Sequence, residues 1–145
     1  MKITTKCRYG TKAIIEIARN YNDRPTTRKD ISVNQNIPDS YLENILIDLK
    51  KSGIINSIRG TKGGFVLNRP PTEITLYDIF KVLKKSINPV GCIKDPELCC
   101  CTEFCITRPV WQKMYDAQKD ILKSFSIQDL LEKDTADERH SFSYC

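Results

Sequence analysis

The chain has 145 residues, 40% of them hydrophobic and 28% charged, with a formal net charge of +5. That length suits one compact domain or a small domain with an appendage, and no apolar run nears the roughly 18 residues that a membrane span needs. The N-terminal stretch Met1 to Cys7 lacks the apolar core of a secretory leader, so the chain reads as soluble and cytoplasmic with no membrane partner, and its basic balance suits a polyanion without demanding one.

Taken in order, Arg8 to Tyr21 predicts a helix, with Tyr9, Ala13, Ile14, Ile17, Ala18 and Tyr21 on one face. Asn22-Asp23-Arg24-Pro25 breaks it. Thr27, with Asp30 three residues on, is a capping signal for a short helix from Arg28 to Val33. After Asn34-Gln35-Asn36, Pro38-Asp39-Ser40 opens a third helix to about Lys51. Its apolar face is Leu42, Ile45, Leu46 and Leu49, and Gly53 closes it. Ile54 to Arg59 and Phe65 to Asn68 predict two strands around the turn Gly60-Thr61-Lys62-Gly63-Gly64, and Ile74 is placed in a short third strand. Thr75 with Asp78 starts another helix, to about Lys85. Pro109 opens a longer one to about Phe125, with Trp111, Met114, Gln118, Ile121, Leu122 and Phe125 as its stripe. Ser126 to Leu131 adds a further short turn or helix, and the polar segment from Asp134 reads as disordered.

Helix, short helix, turn, helix and a glycine-tipped hairpin is the order of a winged helix-turn-helix. The fold class is therefore mainly α with a small β-hairpin wing. In that arrangement the third helix enters a major groove of double-stranded DNA. Ser40, Tyr41, Glu43 and Asn44 lie at its exposed start. A Glu side chain accepts from cytosine N4, and Asn pairs with an adenine edge. Arg59 and Lys62 at the hairpin reach phosphates or a minor groove, and Arg28 and Lys29 at the start of the short helix are placed to hold phosphate. The plainer reading of the same residues is a helical bundle with a solvated hairpin.

Five of the seven cysteines fall between Gly91 and Cys105, a window without helical or strand period. In a reducing compartment such a cluster binds metal or does redox chemistry rather than forming structural disulfides. Thiolates suit iron–sulfur clusters and zinc alike. Close Cys-x-x-Cys pairs, usual in structural zinc sites, are absent. A metal-free thiol switch is the third option, with Lys94 and Arg108 near in sequence to favour thiolates. Cys92, one of Cys99, Cys100 and Cys101, and Cys105 are the best-placed ligands.

Lys6-Cys7-Arg8-Tyr9-Gly10, Ser40-Tyr41-Leu42-Glu43, Arg59-Gly60-Thr61-Lys62-Gly63-Gly64-Phe65 and Cys105-Ile106-Thr107-Arg108-Pro109-Val110-Trp111 together resemble the bacterial regulators that include IscR, NsrR and CymR. The resemblance runs from residue 1 to about 132. It implies a transcriptional regulator and not an enzyme: a homodimer, built by the long C-terminal helix, that reads a palindromic operator. It implies a division into a winged helix-turn-helix domain (1–72), a connecting helix (73–90), a cluster-binding loop (91–107), a dimerisation helix with a short end helix (108–132) and a tail (133–145). Ser40 and Glu43 would read bases and Arg59 would sit in the wing. The iron–sulfur branch implies a cluster, [2Fe-2S] favoured over [4Fe-4S], that senses iron, redox state or nitric oxide. Its ligands are three cysteines with five to seven residues between neighbours, which points to Cys92, Cys99 and Cys105, with Cys100 and Cys101 as alternatives to Cys99. The usual fourth ligands of the family fall on Arg108 and Arg8, and guanidinium offers no lone pair. That leaves Cys7 from the partner subunit, a spare loop cysteine, Glu103 or a water as fourth ligand.

Overall fold

The structure is a computed structural model that describes residues 2–84 and 86–136. The winged-helix architecture is present. Helices α1 (Thr5–Arg19), α2 (Arg28–Gln35) and α3 (Asp39–Lys51) precede an antiparallel hairpin of β1 (Ile55–Ile58) and β2 (Gly64–Leu67). A single turn of 3-10 helix (Pro71–Glu73) leads to α4 (Leu76–Leu83). The cysteine segment follows, then α6 (Arg108–Lys123) and α7 (Ile127–Ala136), with a one-turn α5 (Gly91–Lys94) inside that segment.

The local signals act as chemistry requires. Thr27 and Asp30 form a reciprocal capping box at α2, and Thr75 and Asp78 do the same at α4. The Thr27 hydroxyl and amide beside Asp30 hold its carboxyl below the usual carboxylate range. Asn36 closes α2 in the left-handed region at φ 49°. Leu42, Ile45, Leu46 and Leu49 are all buried, so α3 turns one face to the core and the other to solvent. Each such side chain contributes about 1.5–3 kcal/mol by burial. Glycine is favoured by close approach at several places, Gly10 and Gly64 among them. A Cβ on Gly10 would overlap Leu83 of α4, and one on Gly64 would stand 2.7 Å from the Thr26 carbonyl oxygen.

That second contact marks a difference from the sequence expectation. The strand added to the wing is not Ile74 but Thr26, whose amide donates to Phe65 O (2.9 Å) and whose carbonyl accepts from the Phe65 amide (2.8 Å). Ile74 instead accepts from the Ile127 amide (2.8 Å), while Thr75 bridges Ser126. This pairing draws the C-terminal part of the chain back onto α1. As a result α7 continues to Ala136, beyond the expected end near Leu131, and its Asp134 pairs with Arg19 of α1. The remainder of the expected disordered tail, residues 137–145, lies outside the described residues.

The polar centre of the domain is Glu16, only 4% exposed. Its carboxylate accepts from Arg19 Nη1 (2.9 Å), Asn34 Nδ2 (2.7 Å) and Gln35 Nε2 (2.8 Å). Arg19 is the residue that also meets Asp134. One carboxylate thus ties α1, the end of α2 and, through Arg19, α7. Replacing it leaves the buried Gln35 amide unmatched, which costs about 1–3 kcal/mol. Glu16→Gln, which turns an amide N–H toward those donors, is expected to lower unfolding stability by that amount in a urea titration. An unchanged midpoint would show that the three donors find water instead.

Candidate nucleic-acid interface and cysteine loop

The exposed face of α3 carries Ser40, Tyr41, Glu43 and Asn44, all open to solvent. Arg59 and Lys62 are exposed at the tip of the hairpin. Lys50 Nζ donates to Ser57 Oγ of β1 (2.6 Å), which fixes the wing against the recognition helix. A groove of about 210 Å³ runs between them, lined by Arg28, Glu43, Leu46, Ile47, Lys50, Ser57 and Phe65. The Tyr41 ring packs edge-on against Tyr9 of α1, with centroids 5.5 Å apart. Lys6 pairs with Asp48, a second strut between α1 and α3.

Arg28 is not the free cation that its position before α2 suggested. Its Nε lies 2.9 Å from Asp39 Oδ1, and its Nη1 lies 3.3 Å from Glu43 Oε1. Both carboxylates stand at the start of α3. Lys29 is the exposed cation of this pair. Sequence reasoning missed Asp39: its four-residue spacing from Glu43 was visible, but the arginine that reaches both lies across a turn.

In the loop, Cys92 and Cys105 are half-buried, while Cys99, Cys100 and Cys101 are exposed. Cys100 Sγ lies 3.6 Å from Cys101 Sγ. The Cys100 thiol beside Cys101, with the charge of Cys99, pushes the Cys101 thiol above its ordinary value. Cys105 goes the other way. The Thr107 hydroxyl, 3.3 Å from its sulfur, and the amides of Thr107 and Arg108 hold it below the ordinary thiol range. Sequence reasoning missed Thr107 as well. Among the described residues no three acidic, cysteine or histidine side chains are gathered as for a metal ion. Cys7 is 0% exposed, within the core cluster of α1. In the single chain its side chain therefore lies within its own domain.

The model of the Rrf2 family, described as iron-dependent transcriptional regulators, matches residues 3–133. The chain belongs to the Rrf2 family. It is 38% identical over 130 residues to the HTH-type transcriptional regulator CymR of Bacillus subtilis, covering 90% of this chain and 89% of that one. The solved structure of CymR, the global cysteine regulator of B. subtilis, superposes with a TM-score of 0.76 at 36% identity over 92% of this chain and 98% of that one. T. potens IscR superposes with a TM-score of 0.78 at 29% identity, over 100% and 97%. As an Rrf2 protein the chain is a DNA-binding transcriptional regulator, and the exposed face of α3 with its wing is the surface that a winged helix offers to DNA. No helix among the described residues is long and apolar enough to cross a membrane.

For this Rrf2 protein the Arg28 geometry separates two roles. If Arg28 masks Asp39 and Glu43, Arg28→Ala weakens DNA binding about tenfold, or about 1.4 kcal/mol. The same change then costs little in an Asp39→Asn/Glu43→Gln background. Equal losses in both backgrounds, measured by fluorescence anisotropy, would instead make Arg28 a direct phosphate contact.

Proposed function

We propose that the protein is a homodimeric regulator in the cytoplasm whose binding to a palindromic operator is controlled by an iron–sulfur cluster in the loop 91–107. The observation that carries the DNA-reading part is the exposed polar start of α3 set beside a basic wing tip. Glu43 and Ser40 read base edges, Tyr41 and Asn44 stand beside them, and Lys29, Arg59 and Lys62 hold the backbone.

Dimerisation through α6 is supported by side chains that no part of the described chain covers. Val110, Met114 and Ile121 are exposed at helical spacing, whereas Leu122 on the other side of α6 is buried in its own domain. Two such stripes packed together would remove them from water.

The cluster reading rests on the donor set. Cys92, Cys99 and Cys105 are free thiols in one loop, soft enough for iron. The fourth ligand is assigned to Cys100 or Cys101, since both are exposed and Cys7 is not. When bound, such a group supplies an oxidant-sensitive redox centre. The chain's own part is to order: holding Cys92 and Cys105 together closes a loop whose far end continues directly into α6. A closed loop shifts the population of α6 orientations, and with it the spacing of the two recognition helices. The size of that shift is set by the difference in affinity between the two states.

A second reading, of a thiol switch without metal, draws on the kinship to a cysteine regulator and on three exposed adjacent thiols. The ultraviolet–visible spectrum of protein purified without oxygen, with its iron, sulfide and zinc content, separates the two. Iron and sulfide with visible absorbance are expected, both lost in Cys92→Ala and in Cys105→Ala. Colourless, metal-free protein would favour the switch, and retention of a full cluster by either variant would refute the ligand set. Met114→Glu/Ile121→Glu is expected to give monomers by analytical ultracentrifugation and to reduce affinity for a palindrome at least tenfold relative to the parent. A dimer of unchanged stability would place the interface elsewhere.

A further inference from the structure

The run Cys99-Cys100-Cys101 holds more thiols than a three-cysteine site uses, and the local backbone arranges two of them. Adjacent residues of an extended chain send their side chains to opposite sides. Here Cys101 sits at φ −104°, ψ 13°, in the sparsely used bridge region, and its sulfur comes to 3.6 Å from that of Cys100. The turn is built rather than loose. The Thr102 hydroxyl lies 2.7 Å from both Pro96 O and Cys99 O and shares its one hydrogen between them, and the Thr102 amide reaches Cys99 O at 3.3 Å. Asp95 receives the Glu97 amide at 3.2 Å, which holds the first half of the same turn.

We propose that Cys100 and Cys101 form a vicinal dithiol site that captures trivalent arsenic, taken up as arsenous acid. Two sulfurs bonded to one central atom at about 2.3 Å, the length of a zinc–thiolate bond, stand about 3.3 Å apart at a right angle and about 3.8 Å apart at the tetrahedral angle. The observed separation falls in that range, with both thiols exposed to an incoming solute. Zinc is the poorer occupant of these two thiols, because it takes four ligands and the pair supplies only two. Trivalent arsenic needs only three bonds and is soft enough to prefer sulfur. Two As–O bonds break and two As–S bonds form. Each thiol proton leaves with a hydroxyl as water, so two waters are released and the third hydroxyl stays on arsenic. Arsenic remains trivalent, no sulfur is oxidised and no co-reactant is required. The site shares one thiol with the proposed cluster, so its test uses the reduced, iron-free chain, in which that thiol is free.

The test uses full-length, reduced, iron-free protein under nitrogen, with sodium arsenite as the probe. After gel filtration, retained arsenic is measured by elemental analysis and free thiols by titration with an aromatic disulfide. One arsenic per chain and the loss of two titratable thiols are expected. Cys100→Ser/Cys101→Ser is expected to lower retention at least tenfold, while Cys92→Ser/Cys105→Ser retains it. Circular dichroism of both variants controls for folding. No retention by the parent, equal retention by Cys100→Ser/Cys101→Ser, or displacement of arsenic by equimolar zinc would overturn the proposal. Failure to find a cluster in the anaerobic preparation would sink the cluster reading and leave the arsenic result standing.

Discussion

A buried carboxylate with three donors organises this molecule. Burying Glu16 is unfavourable unless its charge is matched and its lone pairs are filled. The matching groups come from the next turn of α1 and from the last turn of α2. The reader helix α3 begins four residues after Gln35, so its placement depends on where Glu16 holds that turn. The apolar face of α3 supplies most of the attraction to α1, but apolar contact is non-directional. The carboxylate adds direction: only one arrangement of α1 and α2 brings Asn34 and Gln35 to its two oxygens.

Around that fixed centre the functional surfaces differ in rigidity. The wing is fastened at its base, by Thr26 against Phe65 and by Lys50 against Ser57, and projects its cations from the far end. The cysteine segment has only single turns of helix, held by hydrogen bonds between close neighbours. Its larger apolar groups are open to solvent: Phe104 is 86% exposed and Ile106 91%. Such a segment gains little from its own domain and has much to gain from an occupant or a second subunit. A firmly held α3 beside a weakly held cysteine segment suits a regulator, because regions that respond to ligands are drawn from the less stable parts of a fold.

Much of the frame was legible from residue spacing alone. Thr27 with Asp30 and Thr75 with Asp78 announced two helix starts, and the Leu42-Ile45-Leu46-Leu49 stripe announced the reader helix. Local periodicity and capping involve neighbours in sequence, so a short window contains the whole interaction. What escaped depends on partners far apart. Glu16 looked like one more polar residue on α1, since its donors Asn34 and Gln35 lie beyond a loop. The last turns of α7 looked disordered because Asp134 finds its partner in Arg19, 115 residues away. Arg28 meets Asp39 and Glu43 across a turn, and the burial of Cys7 depends on packing from other helices, so neither contact is announced by nearby sequence. The triplet at Cys99 could not reveal which thiols meet, because that depends on one unusual backbone angle.

The attachment of α6 has a mechanical consequence. Near its C-terminal end, Leu122 is buried and the Phe125 carbonyl accepts from the Leu76 amide at 3.0 Å. At its other end Val110 and Met114 stand free. The helix spans 16 residues, about 24 Å, and is fastened near its C-terminal end while its other end joins the cysteine segment. The loop therefore meets α6 at the end farthest from that fastening.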